Sequence, residues 1–336
     1  MRALLPNSVI DIPSELAQVI KDDDGIAWFG INSFEDRCLA SLSRLAASDL
    51  RISSICFVDY PTLAQPEDDD RRIRKAHRES VAAIAASCGA SLHNPSVEAY
   101  ASAGLDRELL KFSNATGGRR WVVDISCLTK IHVVTLASFL HSNESHRETV
   151  ALVYTSPRAY GNLDRVSKQI GWNDVIIAPV AYSAKMHNEG DSRGLVIAGH
   201  ESERLWSALN EIEPASGVLV LGRIPSRPDI TRLSEKINKG VIKHMAVDYS
   251  SAWTRQVVDV SDIRKLEDVV AQEVEKATRA DAPVILYPFG PKSLVLAAAS
   301  YLLKHYPFGS WFVYPVPARY DLSYSEGSSG SYWFAP

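Results

Sequence analysis

The chain is short of most features that announce a chemistry. Its four cysteines, Cys38, Cys56, Cys88 and Cys127, stand far apart with no C-x-x-C pair. That spacing excludes a zinc knuckle or a disulfide framework, and such thiols suit a reducing cytoplasm. No G-x-x-x-x-G-K-[ST] run occurs, and the glycines of "ATGG" (115–118) precede an apolar run instead of following one, so neither a P-loop nor a dinucleotide loop is read. His141 and His146, five apart on an expected helix end, are no metal pair, and neither metal nor cofactor is expected. The most apolar run, "SLVLAAASYLL" (293–303), is too short to span a bilayer. Pro6, Asn7 and Asp11 interrupt the N-terminus where a signal peptide would be apolar, so the expected location is the cytoplasm, with no membrane partner. Charge of one sign is also missing. With 36 Lys and Arg against 40 Asp and Glu, the formal charge of −4 disfavours a surface built to coat nucleic acid and leaves room for a local basic pocket.

What is present is repetition. The 336 residues suffice for two domains, each with its own core, and three short blocks recur in the same order. "SFEDRCLASL" (33–42) matches "HESERLWSAL" (200–209), pairing Arg37 with Arg204 at 204 − 37 = 167. "DISCLTK" (124–130) matches "LYPFGPK" (286–292), pairing Lys130 with Lys292 at 292 − 130 = 162. "YTSPRAY" (154–160) matches "YPVPARY" (314–320), at 314 − 154 = 160. Nearly constant offsets imply an internal duplication.

The intervals agree. Apolar runs at 25–30, 52–60, 120–125 and 149–154 read as strands of one half, and 194–199, 217–222, 283–288 and 310–315 as those of the other, with short third strands expected near 90–93 and 243–248. Helix-period segments lie between them. Each half is β-α-β-α-β-α-β-α-β, and strands that are apolar throughout imply burial on both faces of a parallel sheet. The expected fold is α/β: two Rossmann-like doubly wound parallel-sheet domains related by duplication about a pseudo-two-fold. The expected boundaries are 1–160 for the first repeat, 161–193 for a connection in which "DVIIAPV" resembles an extra strand, 194–321 for the second repeat, and 322–336 for a Ser/Gly/aromatic tail, either disordered or folded back on the domain.

In a doubly wound sheet, ligands bind beyond the carboxyl ends of the strands. All three blocks begin where a strand is expected to end, on one rim of each sheet. A purely structural repeat would keep its core and let the rim drift, so repeated polar rim residues point to binding. Lys130 and Lys292 stand where a helix starts, and exposed N–H groups there already favour anions. A phosphate or carboxylate contact explains a lysine at that place, helped by Ser126 and Thr129 in one half and the Gly290 backbone in the other; a surface pair with an acid is the plain alternative. Arg37 and Arg204, behind Glu35–Asp36 and Glu203, fit a ligand contact or a capping salt-bridge cluster equally. Asn32, Ser33 and His200 share the loop before them, and Ser33 is also an N-cap candidate. Tyr154, Arg158, Tyr314 and Arg319 combine aromatic faces with guanidinium groups, a set that stacks on bases and contacts phosphates. The alternative makes the tyrosines core residues and the prolines shapers of the exit turn. Cys127 near His132 has no placed base, and "EDDDRRIRK" (67–75) reads as a solvated helix face.

This pattern resembles the CARF superfamily, the Rossmann-like sensor domains of CRISPR-associated and related antiviral systems. The resemblance implies a two-fold cleft that binds cyclic oligonucleotides, built from strand-one and strand-four loops: Ser33 and its neighbours with "DISCLTK" in one half, His200 with "PFGPK" in the other. It also implies a small phosphorylated ligand and, with no effector domain recognised, a separate effector protein. Position 33 is serine where the second half has His200, and the Tyr/Pro/Arg block is no motif of that family. Two other classes stand beside the sensor. One is an enzyme on nucleotides or nucleic acid using Glu35, Asp36, Asp124 or Glu203, where Asp124 aligns with Leu286 and only one half would be competent. The other is an assembly component with no small-molecule ligand, whose rim or aromatic tail holds a partner protein.

Overall fold

The expected strands form where apolar runs can be covered on both faces. The computed structural model describes residues 2–4, 25–61, 68–117, 119–143, 149–161, 171–181, 192–225, 227–247, 252–318, 322 and 324–335. They divide into two units, Met1–Asn162 with Tyr320–Pro336, and Leu163–Arg319. Among the described residues no helix is long and apolar enough to cross a membrane.

Unit 1 runs β1 (Arg2–Leu4), β2 (Ile26–Ile31), a 3-10 turn (Asp36–Leu39) into α1 (Ala40–Ala46), β3 (Ile52–Val58), α2 (Asp68–Cys88), β4 (Ser91–His93), α3 (Ser102–Thr116), β5 (Trp121–Asp124), α4 (Lys130–Ser142), β6 (Val150–Thr155) and β7 (Ala159–Tyr160). Unit 2 follows with β8 (Trp172–Pro179), β9 (Arg193–Ala198), α5 (Ser202–Glu211), β10 (Ser216–Arg223), α6 (Pro228–Ile237), α7 (Lys239–Val247), β11 (Trp253–Asp259), α8 (Ile263–Ala280), β12 (Val284–Pro288), α9 (Lys292–His305) and β13 (Ser310–Pro317). The chain then returns to unit 1 with β14 (Ser325–Glu326) and β15 (Ser331–Ala335).

The sheet of unit 1 has the order β1-β15-β6-β5-β2-β3-β4, and that of unit 2 the order β11-β10-β9-β12-β13-β8. Numbered within each unit, the parallel strands of both read 3-2-1-4-5, the Rossmann order. Both carry an antiparallel strand on the outer side of strand five: β15 on β6, and β8 on β13. Thus the stretch read as a connection supplies β8 to unit 2, and the stretch read as a tail supplies β14 and β15 to unit 1.

Packing explains the local choices. Trp28, Leu42, Ile55, Phe57, Val81, Val153 and the tail's Trp333 close one core of unit 1, and Val196, Leu205, Leu219, Val241, Met245 and Val313 one core of unit 2. One expectation fails. The third strand of unit 2 is β11, at 253–259, whereas 243–248 overlaps α7. Val241 and Met245, four apart, are buried together, which is a helix period and not a strand period.

Candidate functional site

Both rims lie at the carboxyl ends of the parallel strands, and strand order reverses between β2 and β5 and between β9 and β12, where a crevice opens in sheets of this kind. The helix after strand four begins at Lys130 in unit 1 and at Lys292 in unit 2, so both lysines are first helical residues beside the reversal, and both are half-buried. Thr129 is the N-cap of α4. Its Oγ1 accepts from the His132 N–H (3.3 Å) and donates to the Ala99 carbonyl (2.7 Å). In unit 2 the crevice floor is backbone on backbone. A Cβ on Gly199 would lie 2.1 Å from the Phe289 carbonyl oxygen, and one on Gly290 would lie 2.8 Å from the Ala198 carbonyl oxygen.

The repeated arginines are buried, with Arg37 at 6% and Arg204 at 2% exposure. Arg37 forks onto Glu35 (Nε–Oε2 2.9 Å, Nη2–Oε1 3.0 Å) while its Nη1 donates to the Thr155 carbonyl at 3.1 Å. Arg204 donates to Glu201 through Nη1 and to the Pro315 carbonyl through Nη2 and Nε, the latter at 3.1 Å. Thr155 and Pro315 each follow the repeated tyrosine, so the first and third blocks meet in both units by the same contact. The Arg204 guanidinium also lies 4.8 Å from the Tyr314 ring centre and 5.8 Å from that of Phe289. In unit 1, Tyr154 stacks on Tyr332 of the tail with ring centres 6.4 Å apart, and burial pushes its phenol up despite the Arg37 charge.

Other candidates separate. Ser126 is sealed; its Oγ accepts from the Thr155 N–H at 2.8 Å and its own N–H caps Asp124 Oδ1 at 2.8 Å. Asn32 and Ser33 turn toward strand two. Asn32 Nδ2 donates to Asp59 (3.2 Å) and the Arg74 carbonyl (3.3 Å), and the Ser33 carbonyl accepts from His77 Nδ1 at 2.8 Å. Arg158 is exposed and paired with Glu326 at 2.6 Å. His200 is buried in the loop after β9. Arg319 lies outside the described residues.

The contacts of three buried clusters escaped the sequence reading, which names Asp124 only as an acid/base candidate and His132 only as a neighbour of Cys127. Asp124 is buried, accepts from Ser41 and the Ser126 N–H, and is pushed up by desolvation against those bonds and the Arg37 charge. Tyr60 donates to His132 Nδ1 at 2.6 Å; His132 Nε2, 3.2 Å from the Ala101 carbonyl, therefore carries the proton, and burial lowers the His132 pKa to about 4. On α2, the stretch read as a solvated face (67–75) hides Asp70 and Arg74, with Arg74 Nε on Asp70 at 2.8 Å, and His77 just beyond it is buried as well. Their spacing continues through the buried Val81 and Ala85, a helical stripe that could have revealed them. Asn32 Oδ1 and Arg74 Nη2, both buried there, have no hydrogen-bond partner among the described residues. Among the described residues no group of three or more His, Cys, Asp or Glu could hold a metal ion.

No family model matches the chain, and no curated protein matches it. Among solved structures it is similar to a Type III CRISPR defence DNA nuclease activated by cyclic oligoadenylate, with a TM-score of 0.50 and 11% identity over 85% of this chain. The match spans 65% of that nuclease's length. At such identity the likeness bears on the fold alone. An uncharacterized protein from Mycobacterium paratuberculosis aligns over 91% of this chain with a TM-score of 0.23 and 10% identity.

Proposed function

We propose that this chain is a defence-related sensor that binds a phosphorylated ligand, a nucleotide or cyclic oligonucleotide, at the strand-four rims of its two Rossmann-like units and signals to a separate effector protein. The observation that carries this reading is the placement of Lys130 and Lys292 as first helical residues beside the strand-order reversal in both units. There the amide groups of a helix N-terminus and an ammonium group converge on one anion. The activation of the structurally similar nuclease by cyclic oligoadenylate supports a cyclic oligonucleotide as the ligand. On this reading the buried arginines hold the scaffold and the lysines meet the phosphates.

Thermal unfolding with cyclic oligoadenylates of several ring sizes, and linear oligoadenylate as control, tests it. Ligand at a hundred times its Kd adds about 2.7 kcal/mol, a rise of about 5–10 °C in Tm for a unit of this size. Lys130→Ala with Lys292→Ala is expected to remove that rise and leave the ligand-free Tm unchanged. A rise that survives in the double variant refutes the assignment.

A further inference from the structure

The repeated heptads remain to be explained, and the strand ladders explain them. In unit 1 the run 154–161 zips along the end of the chain: Tyr154 pairs with Tyr332, Thr155 with Ser331, Ala159 with Glu326 and Tyr160 with Ser325. The Ser156 N–H donates to the Gly330 carbonyl (3.0 Å) and the Gly161 N–H to the Tyr324 carbonyl (3.1 Å). In unit 2 the run 314–318 zips along 171–176 in the same sense, with Tyr314 opposite Ile176 and Pro315 opposite Val175. Proline lacks the N–H a ladder needs. Accordingly, pairing in unit 1 breaks around Pro157 and resumes as β7 on β14, while in unit 2 the register shifts between Val316 and Pro317. The arginine contacts of the rim fix the carbonyl at the head of each seam.

The guest strands are exchanged. Ile176 follows Tyr154 by 176 − 154 = 22 residues but pairs with Tyr314. Tyr332 follows Tyr314 by 332 − 314 = 18 residues but pairs with Tyr154. Each strand five therefore receives the segment that follows the other strand five.

We propose that the heptads mark a strand-acceptor groove in each unit, and that residues 324–335 are a separable guest in the groove of unit 1. The guest is recognised between β1 and β6 as an extended strand of the pattern Ser-Tyr-Trp-Phe. Ser331, Trp333 and Phe334 are buried there while Tyr332 lies against Tyr154. The guest also reaches the rim. Ser325 donates to Glu35, the carboxylate that holds Arg37, and Arg44 of α1 binds Ser331 and the Ser329 carbonyl. Backbone pairing supplies the attachment, and the alternate side chains supply the selectivity.

The test cuts the folded full-length chain at a protease site introduced at 319–321. The nicked tail is expected to co-elute with the remainder in size exclusion under native conditions and to separate in denaturant. In the Trp333→Ala, Phe334→Ala chain the nicked tail is expected to leave. Loss of the wild-type tail on nicking, or retention of the double-variant tail, overturns the proposal. Should the double variant fail to fold, exchange into the nicked wild-type chain decides. A labelled peptide of residues 322–336 is expected to exchange in, and one lacking both aromatics is expected not to; equal uptake of the two, or uptake of neither, overturns it. Exchange between two intact chains at high concentration would appear as dimers, which the same groove predicts.

Discussion

Replacing Arg204 by alanine separates a scaffold role from ligand contact. Arg204 is 2% exposed, and its guanidinium binds Glu201, makes two bonds to the Pro315 carbonyl and lies over Tyr314. Removing it leaves that carbonyl short of its donors, at about 1–3 kcal/mol, and removes a cation–π contact of about 0.5–2 kcal/mol. Glu201, with a side chain 20% exposed, recovers part of its hydration, so the unpaired carboxylate adds less than the full cost of breaking a buried pair. Together these give about 3–4 kcal/mol, or about 10 °C in the transition of a unit of this size. Arg204→Lys should recover little, because a single ammonium cannot reproduce the fork to Glu201 and Pro315. Urea denaturation, combined with hydrogen exchange at the β8 and β13 amides, reads both quantities. A loss below about 1 kcal/mol, with seam protection unchanged and ligand binding abolished, would refute the scaffold assignment and return Arg204 to the ligand.

Two further outcomes follow from the same geometry. His132 is held neutral with a pKa of about 4 against an ordinary 6.5, so the unfolded chain takes up its proton first and stability falls as pH drops from 6.5 toward 4. Urea titrations are expected to show about 2 kcal/mol less stability at pH 5 than at pH 7 from this group, a difference that shrinks in His132→Gln; an unchanged difference refutes it. Gly199→Ala drives a Cβ to 2.1 Å from the Phe289 carbonyl oxygen and should cost about 3 kcal/mol in the unfolding of unit 2; a loss within error of zero would show that β9 and β12 can separate at the crevice.

Much of this architecture is legible in the residues themselves. Buried parallel strands need apolar runs, and the offsets of Arg37, Lys130 and Tyr154 to their partners set ten strands in order with one misplaced. That one, at 243–248, fails because a short apolar stretch of α7 fits either period until Val241 is counted with Met245. The antiparallel sixth strands could not be assigned to their sheets, because pairing between segments more than a hundred residues apart leaves no local pattern. The salt-bridge reading of Arg37 and Arg204 was legible in the acids beside them, and Glu35 and Glu201 pair with them; their second acceptors were hidden, since these are backbone carbonyls and any residue supplies one. Rim position was visible; what occupies the rim depends on contacts more than a hundred residues apart.

The exchange of strands also orders events in time. Thr155 leaves the ribosome 335 − 155 = 180 residues before Ala335, which completes the strand beside it. At synthesis rates of about 5–20 residues per second, β6 waits on the order of 10–40 s with its outer edge uncovered. Unit 2 has no such delay, because β8 is made before the strand it covers. The half synthesised second is thus the first that can be finished, and residues 324–335 decide when the half synthesised first stops offering an open sheet edge to its neighbours.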